Sequence, residues 1–382
     1  MAPVLRISGS LVIMAAIMID TADAATMHGR GGETYTVDAR VAGLAAQAVA
    51  ALQKNVPGRA IPYLTAALQT RQQPAAAAAI YDMRASAYAD SEELERALQD
   101  ANECLRLNPR HFGGYQTRGR VYRLKGALDK AISEYNKALE LNPNFPYLYN
   151  NRGVAYSKRG DEQRAIRDYD EAVRRDPNMA EGYANRGISY QTLGQFDKAL
   201  AEYNKAIRLD PTEGFFYYSR GSLFQQTGRR DDAIRDLSEC IRRKPNDPDA
   251  YLLRGRAHAA KGAYTQAGAD LQKAVAGRPK DPAALNSLAW LKATCAEDSV
   301  RDGNEAVRVA LEACRLTKWK NSHYLDTLAA AYAEQADFVK AVETERRAME
   351  LRDAKSSGRE GMESRLRLYQ EHKPFREMVS SG

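Results

Sequence analysis

The chain has 382 residues, 44% of them hydrophobic and 27% charged, with a formal net charge of +7 and four cysteines. That length ordinarily means two or three globular domains, and a positive balance raises nucleic acid or an acidic surface as a partner. Lysine and arginine are interleaved with acidic residues, as in Arg164, Arg167, Asp168, Asp170 and Glu171. This is the pattern of a solvated helix face and argues against a nucleic-acid stripe.

The first 25 residues carry one basic residue, Arg6, an apolar run from Ile7 to Ile19, and Ala22-Asp23-Ala24 ahead of a polar segment. That is the order of a secretory signal peptide cleaved near Ala24 and Ala25, so the chain is expected to be exported, to a periplasm or outside the cell. The alternative is a membrane anchor, but a span needs about 20 apolar residues and this run stops at Asp20. No stable membrane span is expected after cleavage. Residues 26–36 are expected to be a flexible segment. A helix near Val41 to Lys54 and the trio Ala60, Leu64 and Ala67 predict a first helix pair.

Through the middle of the chain a proline recurs at one unvarying step, at Pro109, Pro143, Pro177, Pro211, Pro245 and Pro279. Three other series keep the same step: Tyr81 to Tyr251, Arg84 to Arg254, and Ala97 to Ala267. Four registers held in phase make the chain an array of one unit. Within a unit, Tyr149, Gly153 and Tyr156 share one face of a 3.6-residue helix. Gly160 breaks that helix; a second periodic run holds Ala165, Tyr169 and Ala172. Asp176-Pro177 then stops it, because proline disfavours a helical residue before it. Gly153 and its equivalents sit mid-helix at a cost of roughly 1 kcal/mol against alanine, which predicts that a neighbouring aromatic ring needs the space.

The set Tyr149, Gly153, Tyr156, Ala165, Tyr169, Ala172 and Pro177 resembles the tetratricopeptide repeat signature, with Arg152 where that family often has Leu. Units starting near Ala78, Phe112, Ala180, Gly214 and Pro248 match almost as well, so residues 78–281 carry the best matches within an array of about nine helix pairs over 37–352. Toward the C-terminus, Leu285 to Cys295 gives a helix, Ala296 to Gly303 lengthens a turn, and Tyr324 to Tyr332 opens one more pair. The stretch Leu288–Leu351 with Leu366–Glu377 looks like the terminal module of a class of bacterial tetratricopeptide proteins. Residues 353–382 are expected to supply a charged capping helix and a tail. The resemblance implies an all-α fold, a right-handed α-α superhelix, and a non-catalytic scaffold that binds proteins.

No motif for metal-dependent hydrolysis, haem attachment, nucleotide binding or a serine nucleophile occurs, so neither catalytic residues nor a cofactor or metal is expected. His258 occupies a core position held elsewhere by Tyr or Phe, and the four cysteines fall at alanine-like positions too far apart to pair. The arginine series is expected to be structural, its guanidinium groups reaching acidic groups or carbonyls. An enzyme or accessory subunit with a site invisible to motifs, or a binder of acidic surfaces, remain the rival functions.

In the family the resemblance points to, first helices line a concave groove that holds peptide segments. Subtracting the packing lattice leaves Arg120 and Arg123, then Tyr147, Asn150 and Val154, then Ala184 and Ile188, then Phe215, Tyr218 and Ser222, then Leu252 and Arg256 as partner-binding candidates, apolar at the centre with arginine at the edges. The competing reading is that Tyr147 and Phe215 only staple adjacent turns. The lysines with which some family members clamp a terminal carboxylate are missing beside Asn150, Asn151 and Asn185.

Overall fold

The constant sequence step becomes helix, turn, helix throughout the computed structural model, which describes residues 17–19, 24–28, 34–352 and 358–377. Most of the expected signal peptide and the tail 378–382 lie outside the described residues. The chain divides into two units, Met1–Asp210 and Pro211–Gly382. Among the described residues no helix is long and apolar enough to cross a membrane.

The first unit opens with three antiparallel strands in the order β1 (Ile17–Ile19), β2 (Ala24–His28) and β3 (Thr34–Asp38). This corrects the expectation of a flexible segment at 26–36. Tyr35 and Val37 alternate with exposed threonines, and with Met27 they pack against Val41, Ala45 and Leu52. Five helix pairs follow: α1 (Ala39–Gln53) with α2 (Pro57–Leu68), α3 (Pro74–Asp90) with α4 (Leu94–Leu107), and α5 (Phe112–Leu124) with α6 (Leu128–Leu141). The last two are α7 (Pro146–Lys158) with α8 (Glu162–Arg175), and α9 (Ala180–Thr192) with α10 (Phe196–Leu209). The second unit holds α11 (Gly214–Gln226) with α12 (Arg230–Arg243), α13 (Pro248–Ala260) with α14 (Tyr264–Gly277), and α15 (Pro282–Thr294) with α16 (Gly303–Leu316). After these come α17 (Ser322–Glu334) with α18 (Phe338–Glu350), and α19 (Arg359–Gln370).

Each recurring residue has one mechanical role. The alanines from Ala97 to Ala267 are all fully buried, where the two helices of a pair come closest. A Cβ on Gly153 would stand 2.7 Å from Tyr169 Cε1, and one on Gly187 2.8 Å from Tyr203 Cε1, so glycine is what admits the ring. In the second unit Leu237 and Leu271 replace that ring against Gly221 and Gly255. Gly160 closes its helix at φ +86, a left-handed conformation cheap only for glycine. Tyr149 donates from its hydroxyl to the Pro143 carbonyl at 3.0 Å, as Tyr115 does to Pro109 and Tyr217 to Pro211. Proline and tyrosine stay in phase because the ring ties each helix start to the stop before it. All four cysteines are buried and free.

Candidate functional site

First helices of successive pairs touch one another: α3 meets α5, α5 meets α7, and α7 meets α9 in the first unit, as α11, α13, α15 and α17 do in turn in the second. In each unit the first helices therefore form the inner layer, and the face they present is where a partner would lie.

The arginine series does not face that layer as a free row of charge. Arg84, Arg118, Arg152, Arg186, Arg220 and Arg254 each reach the carboxylate 16 residues on, in the second helix of their own pair; Arg152 Nε and Nη2 hold Asp168 at 2.8 and 2.7 Å. A third nitrogen then ties back to the preceding pair, Arg118 to Asn102, Arg152 to Asn136, Arg186 to Asp170 and Arg254 to Ser238. Fork geometry lets one arginine satisfy two partners at once, which makes the series a clamp between successive pairs. Desolvation raises the Asp168 carboxyl above its ordinary value, opposed by the Arg152 hydrogen bonds.

Within the first unit the structure separates the candidate residues into two kinds. Asn150, Val154, Ala184 and Ile188 are buried, Val154 at 0% and Ile188 at 2% exposure. The expectation that they stand on an open surface is corrected: α7 and α9 approach closely enough to cover them, and Asn185 Nδ2 donates to Asn150 Oδ1 at 2.9 Å across that seam. The remaining oxygens of Asn151 and Asn185 are buried without a partner. Tyr147 is half-buried and its ring packs on Phe145 at 5.6 Å; burial, then Glu181 and Asp176, push its hydroxyl up. Arg120 donates to Asp90 and weakly to Ser86. Arg123 is buried at 6% exposure, and its Nε has no partner.

Phe215 and Leu252, in the second unit, are nearly covered, whereas Tyr218 and Ser222 are half-buried and Arg256 is exposed. Arg256 Nε donates to Ser287 Oγ at 2.9 Å and Nη2 to the Ala283 carbonyl. The Phe215 ring lies against Phe216 with centroids 6.1 Å apart, so it serves packing as well as surface. His258 sits 3.9 Å from Asp270, and burial lowers its pKa. No group of three or more His, Cys, Asp or Glu placed to hold a metal occurs among the described residues.

Sequence reasoning missed a polar knot under α19. Arg365 Nε and Nη2 hold Asp326 at 2.7 and 2.9 Å, and the guanidinium lies between the Trp290 and Phe375 rings, 5.5 Å from each. Glu345, fully buried, stands beside them with neither carboxyl oxygen hydrogen-bonded. The chain after α19 returns to α15, where Trp290 Nε1 donates to Glu377 and the Glu377 amide donates to the Thr294 carbonyl. An open depression of about 750 Å³ lies between α18 and the end of α19, lined by Phe338, Val339, Val342, Arg346, Tyr369 and His372.

Models of the tetratricopeptide repeat match residues 78–111, 146–179, 180–213 and 218–282, and a further model described as a TPR repeat matches 119–160. No curated protein matches the chain. Among solved structures, a tetratricopeptide repeat protein from Parabacteroides merdae is 20% identical, with a TM-score of 0.52 over 65% of this chain and 97% of its own. PilW, a type IV pilus biogenesis factor, is also 20% identical, with a TM-score of 0.51 over 55% of this chain and 98% of its own. At that identity the likeness is one of fold: an all-α solenoid of stacked helix pairs.

Proposed function

We propose that this chain, which belongs to the tetratricopeptide repeat family, is a non-catalytic scaffold that holds extended segments of partner proteins against its inner helices. The observation that carries the reading is a set of inner-face side chains left over once packing and the arginine clamps are accounted for. Tyr147 and Ser157 in the first unit, and Tyr218, Ser222 and Arg256 in the second, are half-buried or exposed and are absent from the recurring lattice. Aromatic and arginine side chains with a satisfied stem and an open tip are what protein recognition uses most. The buried amide oxygens of Asn151 and Asn185 add acceptors that water or a partner's N–H groups would satisfy.

A photo-crosslinking residue placed at Tyr147 or Tyr218 in cells is expected to trap the same partners repeatedly, while one at the outward, exposed Arg167 traps none of them. Pairing Tyr147→Ala with Tyr218→Ala is expected to abolish the trapping with the helical signal intact. Equal trapping from Arg167 would remove the inner-face reading and favour an outer surface.

Export is part of the same proposal and rests on the order of residues 1–25. Cleavage between Ala24 and Ala25 would remove β1 and leave β2 paired to β3, whose registered partners run from Ala25 with Val37 to His28 with Thr34. The mature protein is expected to begin at Ala25 by mass spectrometry and to partition outside the cytoplasm; recovery of Met1 in a soluble cytoplasmic fraction would refute this.

A further inference from the structure

Arg123 and Lys158 break the charge pairing that the rest of the array keeps. Cations at the ends of first helices elsewhere find a carboxylate at the start of the preceding second helix: Lys125 with Glu95, Arg159 with Asp129, Lys261 with Asp231. Arg120 is paired with Asp90. Among the described residues neither Arg123 nor Lys158 has an ion pair or a hydrogen bond that would neutralise it. Arg123 is nevertheless buried, and Nε is the only one of its nitrogens both shut from solvent and without a partner; its terminal nitrogens keep an opening to solvent.

The two cations feel each other. Burial, then the charge on Arg123, lowers the pKa of Lys158, the response of a like charge nearby. Around them stand polar groups with unfilled hydrogen-bonding capacity. The Tyr135 and Tyr169 hydroxyls are buried without hydrogen-bond partners, Arg123 acts on both, and Glu162 acts on Tyr169. Glu162 accepts from Ser157 Oγ at 3.0 Å through one oxygen and leaves the other orphaned. With Arg120 neutralised by Asp90, two positive charges face one carboxylate, leaving one net positive charge. Buried charge without a counter-charge is costly, and an orphaned buried donor beside two orphaned hydroxyls is an arrangement that native proteins rarely leave unfilled. The equivalents of Arg123 in the next two repeats are Ser157 and Gln191, so the repeat does not demand a cation here.

We propose that Arg123 and Lys158, with the Tyr135 and Tyr169 hydroxyls, form an anion subsite between α5 and α7 that receives the carboxylate of an aspartate or glutamate side chain on a bound partner segment. The subsite rests on the inner-face reading above and gives it a chemical preference: the first unit selects segments with an acidic residue. Arg123 supplies a fixed donor, because its stem is buried, and Lys158 supplies a mobile charge from the rim. Glu162 limits the site to a single negative charge.

The test uses the full mature chain and fluorescein-labelled hexaglutamate, with hexaglutamine as the uncharged match, at fixed ionic strength. Saturable binding of hexaglutamate and none of hexaglutamine is expected. Arg123→Gln and Lys158→Gln should each weaken it at least tenfold, Glu162→Gln should strengthen it, and Arg167→Gln, which removes the same charge from the outer face, should leave it unchanged. Lys158→Gln should also leave the unliganded thermal midpoint unchanged or higher, since it relieves a like-charge contact; this keeps the test decisive if Arg123→Gln folds poorly. Equal weakening by Arg167→Gln, no effect of Glu162→Gln, or displacement by inorganic phosphate as effective as by free hexaglutamate would overturn the proposal. If inner-face crosslinking persists while hexaglutamate fails to bind, the subsite is wrong and the scaffold stands; if hexaglutamate binds and crosslinking fails, the reverse holds.

Discussion

Removing residues 146–179, one full period, is expected to leave a cooperatively folding helical protein, whereas removing 146–162 abolishes the cooperative transition. The first deletion takes out α7 and α8 together and joins the stop after α6 to the start of α9. Every clamp then finds a substitute. Arg186 loses Asp170 but meets Asn136, the equivalent residue of the preceding repeat, which already serves Arg152 in the intact chain; Glu202 remains its partner within the pair. The second deletion removes α7 alone. Gly153 goes, so the Tyr169 ring loses the backbone it rests on, and Asp168 loses the Arg152 fork and is left as a buried carboxylate without a counter-charge, a defect worth about 3–5 kcal/mol by itself. Because repeats in such arrays contact mainly their neighbours, stability falls by roughly one repeat's share in the first case. Circular dichroism melts of the two deletion variants decide the matter: matching losses would mean that the array is not modular.

The period was legible because four side-chain types carry it, and each proves to act separately, alanine for helix approach, glycine for a ring, tyrosine for the proline carbonyl and arginine for the neighbouring pair. The burial of Val154 and Ile188 was not legible. Their positions fall outside the lattice, and whether such positions are covered depends on how closely α7 and α9 approach, a distance that no spacing within one helix encodes. Tyr35 and Val37 did carry a readable signal, alternation with Thr34 and Thr36; it was masked by the adjacent glycines and by the expectation of a processed N-terminus. Arg123 was visible only as an edge arginine. What sets it apart is the lack of an ion-pair partner, which exists only in three dimensions.

Glu345 was the least legible residue of all, since Glu343, Arg346 and Arg347 around it read as a solvated face. Its own side chain points under α19, where burial first, and then the charge of Asp326, push its carboxyl up to about 10. Arg365 opposes that rise and is 3.7 Å away, but its two shortest bonds go to Asp326. Tyr369, also buried and pushed upward, closes the far side. The sign follows directly. A carboxyl whose folded pKa lies above its unfolded value contributes stability that is fully present below the unfolded value, about 4.5, and is lost as pH rises toward about 10. Glu345→Gln keeps the shape and removes the titration, so this variant should equal the parent near pH 4 and exceed it by a margin that widens as pH rises to 9. Arg365→Ala should do the opposite at every pH, because it strands Asp326 and opens the contacts with Trp290 and Phe375; a loss of about 3–5 kcal/mol is expected. Thermal melts of both variants from pH 4 to 9 separate the possibilities. A Glu345→Gln variant destabilised by the same amount throughout would show that Glu345 is ionised and shares Arg365 with Asp326, and the pH dependence of α19 docking would then have another source.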